Sequence, residues 1–269
     1  MKLLTYNIRN ESACDGVNAF HNRRGYVIDQ LETEKPDIIG FQEITQPMYP
    51  YFREHLHGYT LIGCGRDADY RGECNPIAFL SGKYELIGMD VTWLSPTPYV
   101  PGSRFEKQSP YPRIINHAIL RPIGEDKPFH MYNTHLDHEF DEARVLGAKR
   151  LLEKMKEDQK THPFPLMLTG DFNAHPDSEA IRLLREDAFG LIERTEGLGT
   201  TWHDYGRGND PRIDYIFTRG MKAEGRGRAM DAEPERHLPV RPLPRRRRVD
   251  ARGRRIDIRK KNIYEACDL

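Results

Sequence analysis

No stretch of the 269 residues approaches the ~18 consecutive apolar side chains that a membrane helix needs, so a bilayer-spanning chain is excluded. Cysteine is scarce. The four present (Cys14, Cys64, Cys74 and Cys267) include no CxxC pair and no histidine at zinc spacing, so neither a disulfide scaffold nor a structural zinc is indicated. Cys64 and Cys74 are expected as free thiols. The opening Met1-Lys2-Leu3-Leu4-Thr5-Tyr6-Asn7-Ile8 lacks the long apolar run of a signal peptide, and a cytoplasmic location is the expectation. No internal repeat is present, and no Ser/Gly linker interrupts residues 1–218. Net charge is also absent, with 41 Lys and Arg against 41 Asp and Glu. That balance hides an asymmetry: residues 219–269 hold 16 basic and 8 acidic side chains, a net of +8, which leaves −8 for residues 1–218. The chain therefore reads as one domain over 1–218 followed by a basic, Arg- and Pro-rich tail over 219–269.

What is present fits a globular α/β protein, with 38% hydrophobic and 30% charged residues. Short apolar runs bounded by Gly, Pro or Asp predict strands at 2–8, 37–42, 60–63, 77–80, 84–93, 114–120, 129–135, 166–170 and 213–217. Val27, Ile28 and Leu31 share a helical face over 23–34. Val145, Ala148, Leu151, Leu152 and Met155 do so over 141–160, with Asp141 placed to cap and His162-Pro163 to stop. A third helix, over 178–187, starts at a capping Ser178. Helices interleaved with buried strands indicate helices lying outside stacked sheets.

Polar side chains gather where these strands end. Asn7 follows Leu3-Leu4-Thr5-Tyr6, and Glu43 ends Ile38-Ile39-Gly40-Phe41-Gln42. Asn133, His135, Asp137 and His138 crowd one strand end, Asp171 and Asn173 follow Leu166-Met167-Leu168-Thr169-Gly170, and Asp214 sits inside an apolar run. Each alone is compatible with an ordinary strand terminus or a solvated side chain. A carboxylate inside an apolar run is costly without a partner, however, and ligands in α/β folds collect at strand ends.

In order and spacing these segments resemble the endonuclease/exonuclease/phosphatase superfamily. The matching strings are Leu4-Thr5-Tyr6-Asn7, Gly40-Phe41-Gln42-Glu43, Asn133-Thr134-His135-Leu136-Asp137-His138, Thr169-Gly170-Asp171-Phe172-Asn173 and Ile213-Asp214-Tyr215-Ile216-Phe217. The segment 79–113, which closes on Pro112-Arg113, resembles an uncharacterised bacterial branch of that superfamily. The resemblance implies two packed mixed β-sheets flanked by helices, the four-layer α/β sandwich of deoxyribonuclease I. It also implies hydrolysis of a phosphodiester or phosphomonoester with a divalent cation, magnesium or alternatively manganese. A hard cation of this kind takes one or two carboxylates and several waters, which suits Glu43 with help from Asn7. By resemblance Asp171 orients or deprotonates the attacking water, and Asn173 holds that water or a phosphoryl oxygen. His135 and Arg113 meet the non-bridging oxygens, and Asp214 supports its neighbours or a second metal position. The partner is then a phosphate-ester substrate, either a small molecule or a nucleic acid, acted on by a monomer.

One family feature is missing. Members end with Ser-Asp-His before the last strand, and nothing after Asp214 supplies it; the sole late histidine, His237, follows Arg236, whose guanidinium has no acceptor to orient an imidazole. Codons that can encode residues 236–244 also encode Gly-Ile-Tyr-Pro-Ser-Asp-His-Tyr when read one nucleotide later. A frame-shifted tail would carry no selected hydrophobic pattern, so the expectation is an irregular segment that supplies no strand and leaves a sheet edge unpaired. Two alternatives to an active hydrolase follow. One is a domain that binds phosphate but is inactive or weakly active, and the other is a nucleic-acid binder that uses the four consecutive arginines 245–248.

Overall fold

A computed structural model describes residues 1–202 and 212–222, together with the strand segments 228–230 and 264–268. Two strand–helix–strand units organise it. In the first, β1 (Lys2–Asn7) leads through α1 (Phe20–Glu34) to a parallel β2 (Ile38–Gln42). In the second, β7 (Phe129–His135) leads through α3 (Asp141–Thr161) to a parallel β8 (Leu166–Asp171). A parallel pair needs a long crossover, and here each crossover is the helix that covers the outer face of its sheet.

The remaining elements extend these units. The helix α2 (Tyr49–His55) precedes β3 (Tyr59–Ile62) and β4 (Ile77–Leu80), and the long hairpin of β5 (Tyr84–Trp93) with β6 (Ile114–Pro122) leads into β7. After β8 come α4 (Glu179–Glu186), β9 (Ile192–Glu193), β10 (Asp214–Arg219), β11 (Arg228–Met230) and β12 (Tyr264–Asp268). The sheet orders are β11-β12-β1-β2-β4-β3 and β5-β6-β7-β8-β10-β9. Four strands of the first sheet lie within the first 80 residues. The expected sandwich of two mixed sheets between helical layers is what forms.

Burial follows these layers. Leu3, Ile38, Ile77, Phe79, Met131, Met167 and Ile216 fill the space between the sheets. Val27, Ile28 and Leu31 of α1 cover one outer face, and Leu151, Leu152 and Met155 of α3 cover the other. Strands buried on both faces read as largely apolar runs, which is why β1, β2 and β8 stand out in the sequence.

Two expectations are corrected. Asp141 does not cap α3, because the helix begins at Asp141 itself; the Asp137 carboxylate instead accepts from the backbone N–H groups of Glu139 (3.0 Å) and Phe140 (2.8 Å) just ahead of it. The tail, expected to supply no strand, does so in its described parts. β12 pairs antiparallel with β1, from Lys2↔Asp268 to Thr5↔Glu265, and β11 pairs with β12. Ladder hydrogen bonds use main-chain groups that every residue except proline carries. A proline-free segment beside the open edge of β1 can therefore fill it whatever its side-chain pattern. His237 and the segment in question for the missing Ser-Asp-His lie outside the described residues, as do Arg245–Arg248. Among the described residues no helix is long and apolar enough to cross a membrane.

Candidate active site

Parallel strands finish on the same side of a sheet, so each strand–helix–strand unit delivers two loops to one place. In the register, Asn7 lies beside Gln42, with Glu43 next in the chain, and His135 lies beside Asp171. At the strand ends one amide bridges the two sheets. Asn7 Nδ2 donates to Glu43 Oε1 at 2.9 Å and to Asp171 Oδ2 at 2.9 Å, which ties the ends of both sheets together. Glu43 leaves β2 with a φ of 64°, a left-handed conformation that a glutamate rarely adopts. That turn aims its carboxylate across the gap, where Oε2 accepts from the Asn10 N–H at 2.9 Å. Backbone strain of this kind persists where surrounding contacts enforce it, commonly at functional positions.

Asn173 is also left-handed, with a φ of 47°, which asparagine tolerates better. Its N–H donates to Asp171 Oδ1 at 2.8 Å, and its Nδ2 lies 2.9 Å from His135 Nε2 and 3.2 Å from the Leu136 carbonyl. With the amide donating to Nε2, the His135 proton sits on Nδ1, a buried atom with no partner among the described residues. Asp214, the first residue of β10, stands opposite Asp171 in the antiparallel register, and its Oδ1 is likewise buried without a partner among the described residues.

Electrostatics separates these groups. Burial, and then the Glu43 charge, raise Asp171 to about 6 against hydrogen bonds from Asn7 and Asn173. Burial and the Asp171 charge push Asp214 well above the carboxylate range, because two adjacent buried carboxylates resist ionising together. His135 is pushed the other way by burial and by the positive charges of Arg113 and Arg66, so it stays a neutral imidazole.

Arg113 closes the site from the loop before β6. It is 4% exposed, and its own burial brings it down to about 10. One terminal nitrogen donates to His138 Nδ1 at 2.9 Å, while Nε and Nη1 have no partner among the described residues. All seven side chains singled out in the sequence (Asn7, Glu43, Arg113, His135, Asp171, Asn173 and Asp214) thus gather at one end of the stacked sheets. Sequence reasoning missed Asn10, Glu73 and Arg66, which extend the same network: Asn10 Nδ2 donates to Glu73 Oε1 at 2.7 Å, and Arg66 pairs with Glu73. They sit in polar loops with no strand-end context to mark them.

Residues 4–235 match the model of the endonuclease/exonuclease/phosphatase family. The chain belongs to that family. Its fold superposes on an endonuclease/exonuclease/phosphatase from Bacteroides vulgatus with a TM-score of 0.83 and 25% identity, covering 100% of this chain and 97% of the other. A Bacteroides thetaiotaomicron mannosyl-6-phosphatase shares the fold at a TM-score of 0.84 and 24% identity, covering 100% and 99%. An uncharacterised protein of Acanthamoeba polyphaga mimivirus is 28% identical over 204 residues, covering 72% of this chain and 75% of that protein. Family members are hydrolases acting on phosphate esters.

Two motif residues do not join those seven side chains. In this endonuclease/exonuclease/phosphatase chain, Asn133 and Gln42 lie buried between the sheets, beneath the strand ends. Gln42 Nε2 donates to Asn133 Oδ1 at 2.8 Å, Thr169 donates to the same oxygen at 2.9 Å, and Asn133 Nδ2 donates to the Phe41 carbonyl at 2.7 Å. This polar clamp fixes the spacing of β2 against β7 and β8, and so the placement of Glu43 against Asp171.

Proposed function

We propose that this chain hydrolyses a phosphodiester or phosphomonoester at the cleft between the strand ends, with a divalent cation, magnesium or manganese, held by Glu43 and Asn7. The observation that carries the reading is the cluster of Glu43, Asp171 and Asp214, three buried carboxylates joined through Asn7 or paired across a sheet. Three carboxyl groups packed this closely away from water resist ionising together, and a cation among them would relieve that repulsion. The donor set fits magnesium: the available atoms are carboxylate and amide oxygens, the hard donors it prefers, and Asp214 Oδ1 has no partner among the described residues. No group of three or more His, Cys, Asp or Glu forms a metal cage among the described residues. An ion that keeps several waters and uses one or two carboxylates does not require one. When bound, the cation neutralises phosphate charge and the charge that develops on the leaving oxygen.

The chain's own residues would do the rest. Asp171, raised towards neutrality and oriented by Asn7 and Asn173, accepts a proton from the attacking water. Asp214 sits beside it as the carboxyl less ready to ionise, leaving the base role to Asp171. Neutral His135 presents Nδ1–H, and Arg113 presents Nε–H and Nη1–H, to the non-bridging oxygens. The test is release of product from a panel of phosphate monoesters, diesters and oligonucleotides, with magnesium or with EDTA. Hydrolysis in magnesium alone supports the reading, and no hydrolysis of any ester overturns it. Saturable phosphate binding without hydrolysis would favour the inactive phosphate-binding domain, a reading motivated by the missing Ser-Asp-His.

A further inference from the structure

We infer that Arg66 is a second phosphate-binding guanidinium beside Arg113, and that the pair makes the site one for a terminal phosphate, a phosphomonoester, in preference to a diester. This rests on the reading of the cleft as a phosphoesterase site.

Two buried arginines whose charges act on each other repel and lose hydration, an arrangement that persists only with compensating anions. Arg113 has none in direct contact: among the described residues no carboxylate lies within ion-pair distance of it, the charges of Glu73, Asp137 and Asp171 act on it only from farther off, and it is 4% exposed. Arg66 has one, Glu73 at 2.5 Å, through Nη1 alone, while its buried Nε has no partner among the described residues. The two side chains share one wall. Arg66 lies over the Tyr111 ring at 4.6 Å, Tyr111 packs against His138 at 5.9 Å between centroids, and His138 accepts from Arg113. The positive charge of Arg66 also acts on both Arg113 and His135, in keeping with this shared wall.

Both arginines are held in place before any ligand arrives. Arg66 sits in a self-bonded loop: its N–H donates to the Glu73 carbonyl at 3.0 Å, its carbonyl accepts from Trp93 Nε1 at 2.6 Å, and Gly65 N–H donates to the Tyr70 carbonyl at 3.0 Å. The Arg113 loop is anchored by Asp137, which accepts from the Ser109 N–H at 3.2 Å and from the Ser109 hydroxyl. Gln108 Nε2 donates to the Tyr111 carbonyl at 2.7 Å, and Leu94 N–H donates to the Arg113 carbonyl at 2.7 Å. Donors fixed in this way bind an anion with little ordering entropy left to lose.

The inventory then selects the ligand. Four buried nitrogens at this site lack a partner among the described residues: Arg113 Nε and Nη1, Arg66 Nε and His135 Nδ1. A terminal phosphate carries a charge of about −1.5 to −2 and three strong acceptor oxygens, enough for all of them and for a cation. A diester has one charge and two such oxygens, so the same donors and a cation must share fewer acceptors and less charge.

The test combines a binding and a kinetic measurement on wild type, Arg66→Gln, Arg66→Lys and Arg113→Lys. Inorganic phosphate is titrated calorimetrically in EDTA, and kcat/KM is measured in magnesium for p-nitrophenyl phosphate and bis(p-nitrophenyl) phosphate. We expect saturable phosphate binding by the wild type, weakened about tenfold or more in Arg66→Gln and Arg113→Lys. We also expect a wild-type preference for the monoester that falls about tenfold in Arg66→Gln, with the diester little changed. Arg66→Lys keeps the charge beside Glu73 but not the Nε–H, and should move in the same direction if Arg66→Gln does not fold. Unchanged phosphate affinity in the Arg66 variants overturns the inference. So does an equal loss on both esters with a lowered Tm, which marks Arg66 as structural. If the wild type hydrolyses neither these esters nor any other in the panel, the proposed function fails, and the phosphate titration alone then decides the arginine pair.

Discussion

Replacing Gly40 with alanine tests the polar clamp that sets the cleft. Gly40 lies in β2, and a Cβ there would fall 2.1 Å from Thr169 Oγ1 and 2.6 Å from Asn133 Oδ1, where ordinary contact begins at 3.4 Å. Neither neighbour can retreat freely. Asn133 Nδ2 is held by the carbonyls of Phe41, Asn75 and Pro76, and Thr169 Oγ1 donates to Asn133. The sheets must separate by about an ångström, or the two side chains must rotate and forfeit their hydrogen bonds. Overpacking of this kind costs about 1–3 kcal/mol, and each disrupted buried hydrogen bond adds about 1 kcal/mol. The expected loss is therefore about 3–5 kcal/mol, a large fraction of a typical domain's stability. Urea unfolding followed by circular dichroism measures it. Thr169→Ala removes the nearest atom, so the Gly40→Ala/Thr169→Ala pair should be less destabilised than the sum of the singles by about 1 kcal/mol or more. A Gly40→Ala protein within about 0.5 kcal/mol of wild type, or strictly additive singles, would show that the clamp does not hold the sheets at this spacing.

Glu43→Gln keeps the shape but removes the anionic ligand, so activity should fall and the magnesium concentration for half-activity should rise together; a wild-type magnesium titration would remove Glu43 from the metal site. Asp37 accepts from the Lys2 N–H and from Lys83 Nζ, both at 2.6 Å, and despite burial its pKa is lowered by these contacts. A depressed folded-state pKa stabilises the protein above the unfolded value, near 3.9, and the stabilisation is lost as the pH falls through the folded value. Asp37→Asn should therefore cost about 1 kcal/mol at pH 7, a modest figure because Lys83 is 60% exposed, and progressively less below about pH 4 in urea melts.

Much of the scaffold was legible because its central strands are buried on both faces. Leu3-Leu4-Thr5-Tyr6 and Leu166-Met167-Leu168-Thr169 read as largely apolar runs, and Asn7, Glu43, Asp171 and Asn173 mark their ends. The helix α3 stops at His162, as the following proline dictates. What remained hidden depends on distant partners. Gln42 and Asn133 look like site residues beside Glu43 and His135, yet they join the sheets, a role visible only once the sheets face each other. Arg66 sits in a polar loop whose sequence resembles any solvated turn, and its burial comes from the chain around Trp93 and Tyr111. The short α2 begins Tyr49-Pro50-Tyr51-Phe52 and is too brief for a periodic signal. The β12 strand pairs through its main chain, which carries little side-chain signature.

The most direct measurement is the rate of p-nitrophenol release from p-nitrophenyl phosphate and bis(p-nitrophenyl) phosphate by the full chain and by Asp171→Asn, each in magnesium and in EDTA. Hydrolysis by the wild type is expected in magnesium, with none in EDTA and a fall of about 10²-fold or more in Asp171→Asn with folding intact. Hydrolysis that survives EDTA, or persists at the wild-type rate in Asp171→Asn, would rule out cation-assisted hydrolysis with Asp171 as the base.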